Sequence, residues 1–392
     1  MFKGKTVYLT LLLVFYFSLS VFGQWSAVNS GTANNLNGAH LLGSGTGFIV
    51  GEAGTILKTT DLGATWAPLT SGTTTTLHGV YLFDDDQGVA VGEQGLILRT
   101  TDGGAMWQTV ASGVKDSLGS VSFSGVNGIC GGDSQTILYS TDSGASWQVG
   151  QSGFFGGGFP GAHMLSATVG FVAGQNSIFQ PMIGATTDGG ASWAFHPFYF
   201  DSNEGGCTDV FFFDQNTGVV SGILFTGQGA IARTTDGGTN WSTSLYDQAM
   251  QGVDFTTTDI GFAVGWAGRI LNTTDSGITW SDQISGTSVN LNDVSFGGNA
   301  VTASQLARVA RFFGQRTAAD LPRVQPRRLR QTEGRRRGHA RRQRRVRIRR
   351  VETHCVGNSC VTFFWSRWRF GAFRLKRLCL PFLEASAQYP WL

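Results

Sequence analysis

The 392-residue chain predicts an all-β fold built from repeated sheets, and three observations carry that prediction. The first is a nine-residue phrase that occurs six times: KTTDLGATW, RTTDGGAMW, YSTDSGASW, ATTDGGASW, RTTDGGTNW and NTTDSGITW. Its aspartates are Asp61, Asp102, Asp142, Asp188, Asp236 and Asp275, and its tryptophans are Trp66, Trp107, Trp147, Trp193, Trp241 and Trp280. The second is the spacing of those aspartates, 41, 40, 46, 48 and 39 residues, a period that points to propeller blades or another repeat array. The third is the texture between phrases: short runs such as HGVYLF, QGVAVG and GLILRT, rich in Val, Ile, Leu and Phe and punctuated by Gly and Asp. Such runs suit buried strands and leave no room for a helix of about ten residues or more. Four strands per repeat make one blade of a β-propeller.

The elements follow in chain order. Residues 1–23 place Lys3 and Lys5 ahead of an uncharged apolar run, 7–22, and end on small residues, the pattern of a secretory signal peptide cleaved before Gln24. That run is shorter than the roughly 18 to 20 residues that span a bilayer. Residues 24–303 are read as the propeller. Trp25 precedes Trp66 by the same 41 residues that separate Trp66 from Trp107, so residues 24–31 are expected to form the outer strand of a final blade. The inner strands of that blade begin on schedule at 291–296 and 298–303. The expectation is therefore seven blades, the last incomplete, with the N-terminal strand closing the ring so that no sheet edge is left open.

The aspartate phrase is turn chemistry at the hairpin between third and fourth strands. An Asp carboxylate is expected to accept from backbone N–H groups two residues on, and the following Gly to adopt positive φ without a Cβ clash. The closing Trp buries about 150–250 Å² against a neighbouring blade. Six copies cannot all be one active site, so these residues are read as structural.

The net charge of +3 averages two unlike segments. Residues 24–303 hold 5 Lys and Arg against 22 Asp and Glu, a net charge of −17, and residues 304–392 hold 22 against 4, a net charge of +18. Clustered Lys and Arg ordinarily suggest nucleic acid, because they release counterions from phosphate. Here the basic composition begins abruptly inside the seventh blade, where another aspartate phrase is due near residue 316. When the third base of each codon from Arg308 to Ala319 is joined to the first two of the next, the genetic code permits Gly-Gly-Thr-Val-Leu-Arg-Thr-Thr-Asp-Gly-Gly, the missing phrase. Residues 304–392 are therefore read as a frameshifted, disordered, irregular basic tail without bearing on function, and nucleic acid is not expected as a partner.

The repeat G-x-I-L-[KR]-T-T-D-x-G-x-x-W resembles the BNR, or Asp-box, propellers, and is most similar to the photosystem II assembly and stability factor family. The resemblance implies a secreted or lumenal seven-bladed propeller that works without cofactor or catalysis, as a scaffold holding a membrane-protein partner during assembly. For this chain it implies a monomer with a protein partner in the cell envelope or outside the cell. The family's basic patch has no counterpart among Lys58, Arg99, Lys115, Arg233 and Arg269, the cations of residues 24–303.

Two rival classes remain, a glycan-binding module and an Asp-box glycoside hydrolase. A sialidase needs an arginine cluster for the substrate carboxylate, with a Tyr nucleophile, a Glu partner and an acid. The propeller's arginines stand at repeat positions, and its glutamates are Glu52, Glu93 and Glu204, so a paired-carboxylate glycosidase would have to use aspartates. Asp209, Asp254 and Asp293 share one first-strand phase, which again favours a structural role.

The 46- and 48-residue spacings put extra residues into connections on the face opposite the Asp boxes. Phe154, Phe155, Phe159, Phe179, Phe198, Tyr199 and Phe200 are the candidate binding residues there, because exposed aromatic patches mark partner or ligand sites. Asp84, Asp85 and Asp86 read as a solvated turn. Cys130 and Cys207 fall in non-adjacent blades and read as buried thiols. His40, His78, His163 and His196 show no metal-ligand spacing.

Overall fold

The computed structural model describes residues 25–151 and 157–297, together with 350–356 and 359–365. Among them, six four-stranded antiparallel sheets follow one another along the chain, each with its strands in sequential order. The first blade comprises Leu36–Leu41, Gly47–Gly51, Ile56–Thr59 and Ala67–Leu69. The first strands of the other five are Leu77–Leu82, Leu118–Ser124, Gly158–Met164, Gly205–Phe212 and Met250–Phe255. Each packs against the first strand of the next blade, and together they surround an axial cavity of about 730 Å³.

Burial explains the composition of each strand. Every residue of the second strands Gly47–Gly51, Gly88–Gly92 and Gly261–Gly265 is buried, because a second strand is covered by a neighbouring sheet on both faces. The fourth strands are mostly exposed, and those of the second and sixth blades carry polar residues there. Each of those second strands ends on a glycine pressed against its own first strand. A Cβ on Gly51, Gly92 or Gly265 would lie 2.1 Å from the carbonyl oxygen of Asn35, Thr76 or Ala249. That repeated contact accompanies a β-bulge at Leu36/Gly38, Leu77/Gly79 and Met250/Gly252, which bends the first strand beside the axis.

Six complete blades are one fewer than the sequence predicts. The outer strand expected at 24–31 and the inner strand expected at 291–296 are not formed: residues 25–31 and 292–297 are in no strand. Residues 291–297 nevertheless run between the sixth and first blades. Leu291 N–H donates to Gly265 O (3.0 Å) on the sixth blade, and Asn292 Nδ2 to Leu36 O (2.8 Å) on the first. The residues expected to pair with this segment, 298–303, lie outside the described residues, as does the whole of 1–24. Trp25 meets Phe262 edge-on at 5.4 Å, as Trp107 of the second blade meets Phe48 of the first at 5.5 Å. Phe262 and Phe48 hold the same place in their second strands, so Trp25 packs on the sixth blade as Trp107 packs on the first.

A separate compact unit, Val324–Leu392, contains one antiparallel hairpin, Arg350–Val356 with Ser359–Trp365. Among the described residues no helix is long and apolar enough to cross a membrane.

Candidate functional site

The six Asp boxes share one hydrogen-bond pattern. In the first, Thr59 Oγ1 donates to Asp61 Oδ1 (2.7 Å), Thr65 N–H donates to the same oxygen (2.8 Å), and Thr65 Oγ1 donates to Oδ2 (2.7 Å). Gly63 N–H closes the loop on Thr59 Oγ1 (2.9 Å). The backbone donor to Asp102, Asp142, Asp188, Asp236 and Asp275 is likewise four residues on, at Met106, Ser146, Ser192, Asn240 and Thr279. This corrects the two-residue Asx turn expected from sequence: both residues after the Asp turn through positive φ (Leu62 at 58°, Gly63 at 74°), which carries the chain back toward the carboxylate one turn later. The Ser192 hydroxyl and N–H, with the Thr186 hydroxyl, hold Asp188 at about 2. The indole N–H groups of Trp193, Trp241 and Trp280 donate to the box carbonyls of Gly190, Gly238 and Gly277 at 2.9–3.1 Å. In each box the aspartate is capped within the turn, while the buried indole N–H groups of Trp107 and Trp147 have no hydrogen-bond partner.

The axis has its own chemistry. Leu82 N–H donates to His40 Nδ1 (3.2 Å), Met164 N–H to Ser122 Oγ (2.9 Å), and Phe212 N–H to His163 Nδ1 (2.8 Å). Phe296 N–H donates to Asp254 Oδ2 (2.9 Å), and Leu41 N–H to Ser295 Oγ (3.2 Å). In every case a side chain on one first strand captures the N–H of the equivalent place in the next. Two further carboxylates do the same two residues earlier, Asp209 accepting from Val253 N–H (3.0 Å) and Asp293 from Ala39 N–H (2.8 Å), so Asp254 does not share their phase as the sequence reading expected. The ties therefore run through residues 291–296 and back into the first blade.

Burial pushes Asp209 up to about 6, Asp254 up to about 7, and Asp293 well above the ordinary carboxylate value; the same cause lowers His40 and His163 to about 4. The carboxylates bind protons more tightly folded than unfolded, so their stabilising contribution is full at low pH and is lost as pH rises through about 6 to 7. The imidazoles act oppositely, losing theirs as pH falls from 6.5 toward 4. Three carboxylates outweigh two imidazoles above about pH 5.5. The thermal midpoint is expected to decline from about pH 5.5 to about pH 7, with Asp254→Asn flattening the decline; a midpoint that climbs over this range would contradict the assignment.

The predicted aromatic surface is only partly a surface. Phe154 and Phe155 lie outside the described residues. Phe159 is fully buried and stacks on Phe195 at 5.6 Å, Phe200 is fully buried, and Phe198 stacks on Trp241 at 4.8 Å. These three belong to the core, because Phe159 occupies the first-strand place of Leu118 and the 198–200 segment packs its rings beneath the fifth blade. Phe179 (42 % exposed) and Tyr199 (49 % exposed) do face solvent. They have exposed companions that sequence reasoning missed, Ile178 (66 %) and Phe225 (60 %), with Phe225 edge-on to Phe179 at 5.2 Å. Aligning the second- and third-strand hairpins, where Gly218–Leu224 and Gly229–Thr234 outrun Gly47–Gly51 and Ile56–Thr59 of the first blade, would have found Phe225.

The propeller's cations are largely committed to its own structure. Lys58 Nζ donates to Gly103 O (2.8 Å), Arg99 Nε to Ser143 O (3.0 Å) and Arg233 Nε to Ser276 O (2.9 Å), each tying a third strand to the next blade's Asp box. Arg269 pairs with Asp247 and Asp282. The Asp84 carboxylate accepts from Asp86 and Gln87 N–H at 2.9 and 2.7 Å, which makes 84–87 the turn expected. Cys130 and Cys207 are free and buried, as read from their blades, and burial pushes both thiols up. Among the described residues no group of three metal-ligating side chains converges.

Repeated self-capped boxes on radially packed four-stranded sheets define an Asp-box, or BNR-type, β-propeller. Residues 64–194 match the family model described as photosynthesis system II assembly factor YCF48, and the propeller is close to that assembly-factor family. It is similar to the solved structure of YCF48 bound to D1 peptide, with 21 % identity and a TM-score of 0.55 over 71 % of this chain and 92 % of that one. YCF48 from Cyanidioschyzon merolae gives 18 % identity and a TM-score of 0.55 over 70 % and 93 %. A GH74 xyloglucanase from Xanthomonas campestris gives 13 % and 0.50 over 67 % of this chain but 47 % of the enzyme. No curated protein sequence matches significantly.

Proposed function

We propose that this chain is a secreted or periplasmic seven-bladed β-propeller that binds a protein partner as a non-catalytic scaffold, in the manner of photosystem II assembly factors. The observation that carries this reading is the set of exposed side chains Ile178, Phe179, Tyr199 and Phe225 on connections of the fourth and fifth blades, where the matching connection of the third blade is Asp133, Ser134, Gln135 and Thr136. Fixed, exposed aromatics are the raw material of protein interfaces. A relative solved with a bound peptide supports the same class of ligand. The axial acids, the best candidates for chemistry, each spend their oxygens on backbone N–H groups of two blades, an arrangement suited to holding strands together rather than to moving protons.

The seventh blade is supported by the phase of residues 291–296 and by the Trp25 contact with Phe262. Secretion is supported by the pattern of residues 1–23, and the frameshift origin of the tail by the phrase recovered from the shifted codons; resequencing the gene tests the latter. Pull-down from the native envelope is expected to enrich one protein while a polysaccharide array stays blank. The exposed Tyr199 ring, a surface on which a sugar can stack, supports glycan binding as the second reading, and array binding without a captured protein would select it over the scaffold.

A further inference from the structure

We propose that the loop face of the fourth and fifth blades docks a basic, apolar peptide segment, one that presents aromatic or long aliphatic side chains flanked by Lys or Arg. This rests on the scaffold reading and specifies the partner's chemistry.

The surface is built rather than incidental. Three connections, 176–180, 201–204 and 225–228, are laced together: Gly205 N–H donates to Phe179 O (3.2 Å) and Phe225 N–H to Glu204 O (3.5 Å). The first is held from within by Asn176 Oδ1, which accepts from the N–H groups of Ile178 (3.1 Å) and Gln180 (3.0 Å). Phe179 is held at φ +62°, a conformation costly for a bulky residue. Beneath the loops, Phe198 stacks on Trp241, and Phe200 fills the space that glycine leaves at 222, where a Cβ would sit 2.5 Å from the ring. A platform this rigid keeps Phe179 and Phe225 in place before any ligand arrives, which lowers the entropic cost of binding.

Charge selects the occupant. The propeller carries a net −17, and this face holds its acids in view: Asp201 and Glu204 within the patch, and Glu52, Glu93, Asp133 and Asp247 in the matching connections of other blades. The described cations of the same connections are Lys115 and Arg269, and Arg269 is already paired with Asp247 and Asp282. Lys58, Arg99 and Arg233 reach toward the Asp boxes on the opposite face. An apolar centre inside an acidic rim favours a segment with the reverse pattern and repels an acidic one. A second copy of the same face would oppose acid to acid, so self-association is disfavoured.

The test uses the full chain and fluorescence anisotropy with three synthetic peptides: a Phe-rich peptide with Lys at both ends, the same with Glu for Lys, and the same with Ser for Phe. The Lys-flanked Phe peptide is expected to bind, at least about tenfold more weakly after Phe179→Ser with Phe225→Ser, and more weakly at high salt. Ile178→Ser, at a 66 % exposed site, serves as a second variant with an unchanged thermal midpoint. Undiminished binding by the variants would overturn the proposal. So would equal binding of the Ser peptide, variant-sensitive binding of the Glu peptide, or variant-sensitive self-association. If native and variant chains still capture the same envelope protein while the peptide fails, the scaffold reading stands and this surface does not.

Discussion

Trp25→Ala is expected to cost about 3–5 kcal/mol, read as a lower urea midpoint with an unchanged slope. Trp25 is 9 % exposed and shares one apolar cluster with Val264 and Ile270 of the sixth blade, Leu291 and Phe296 of the following segment, and Leu41 of the first blade. Its ring sits edge-on to Phe262 of the sixth blade inside a cluster to which all three pieces contribute. Truncation there removes apolar burial and leaves a void that neither side can fill without moving a whole sheet, because each sheet is fixed from its other flank. Ile284→Ala, at an 85 % exposed site, is the control and should change stability by less than about 0.5 kcal/mol. Equal, small effects from the two substitutions would mean that the circle is held elsewhere and that residues before the first blade do not clasp it.

Gly190→Ala is expected to destabilise by about 2–5 kcal/mol, the sum of a left-handed backbone penalty and overpacking. Gly190 lies within the fourth Asp box at φ +104°, and a Cβ there would lie 2.7 Å from Tyr139 Cβ and 3.1 Å from Ile129 Cγ2, both on the third blade. Neither atom is the far end of a flexible side chain, so the blades must separate. Gly72 provides the comparison: its φ is +76°, but nothing lies within 4 Å of its missing Cβ. Gly72→Ala should therefore show the backbone penalty alone, about 1–2 kcal/mol. Chemical denaturation of the pair separates the two causes, and indistinguishable losses would rule out the packing component.

The repeat made most of the architecture legible. Leu36, Leu77, Leu118, Met250 and Leu291 recur at one phase of the first strand, and that phase correctly located the strands and the place of residues 291–296. Phe159 was legible too, since it stands 41 residues after Leu118, yet its neighbourhood of inserted glycines made it look like part of a loop. Phe198 and Phe200 were not legible, because an aromatic in an inserted segment can cover a surface or fill a core, and only the proximity of Trp241 and Gly222 decides. The axial ties were hidden for a different reason. A His, Ser or Asp at one phase of a strand looks like a polar outward residue until folding brings the next blade's N–H within hydrogen-bonding reach of it.

Those ties all run in one sense around the axis, acceptor side chain to the following N–H, so the first, fourth, fifth and sixth blades each offer a plug on one flank and a socket on the other, whereas the second meets the third through the rings of Tyr81 and Phe123. Such head-to-tail polarity makes those four wedges interchangeable in principle. Excising or duplicating one of them would bring together flanks that already fit, and the number of units can change without any new recognition chemistry.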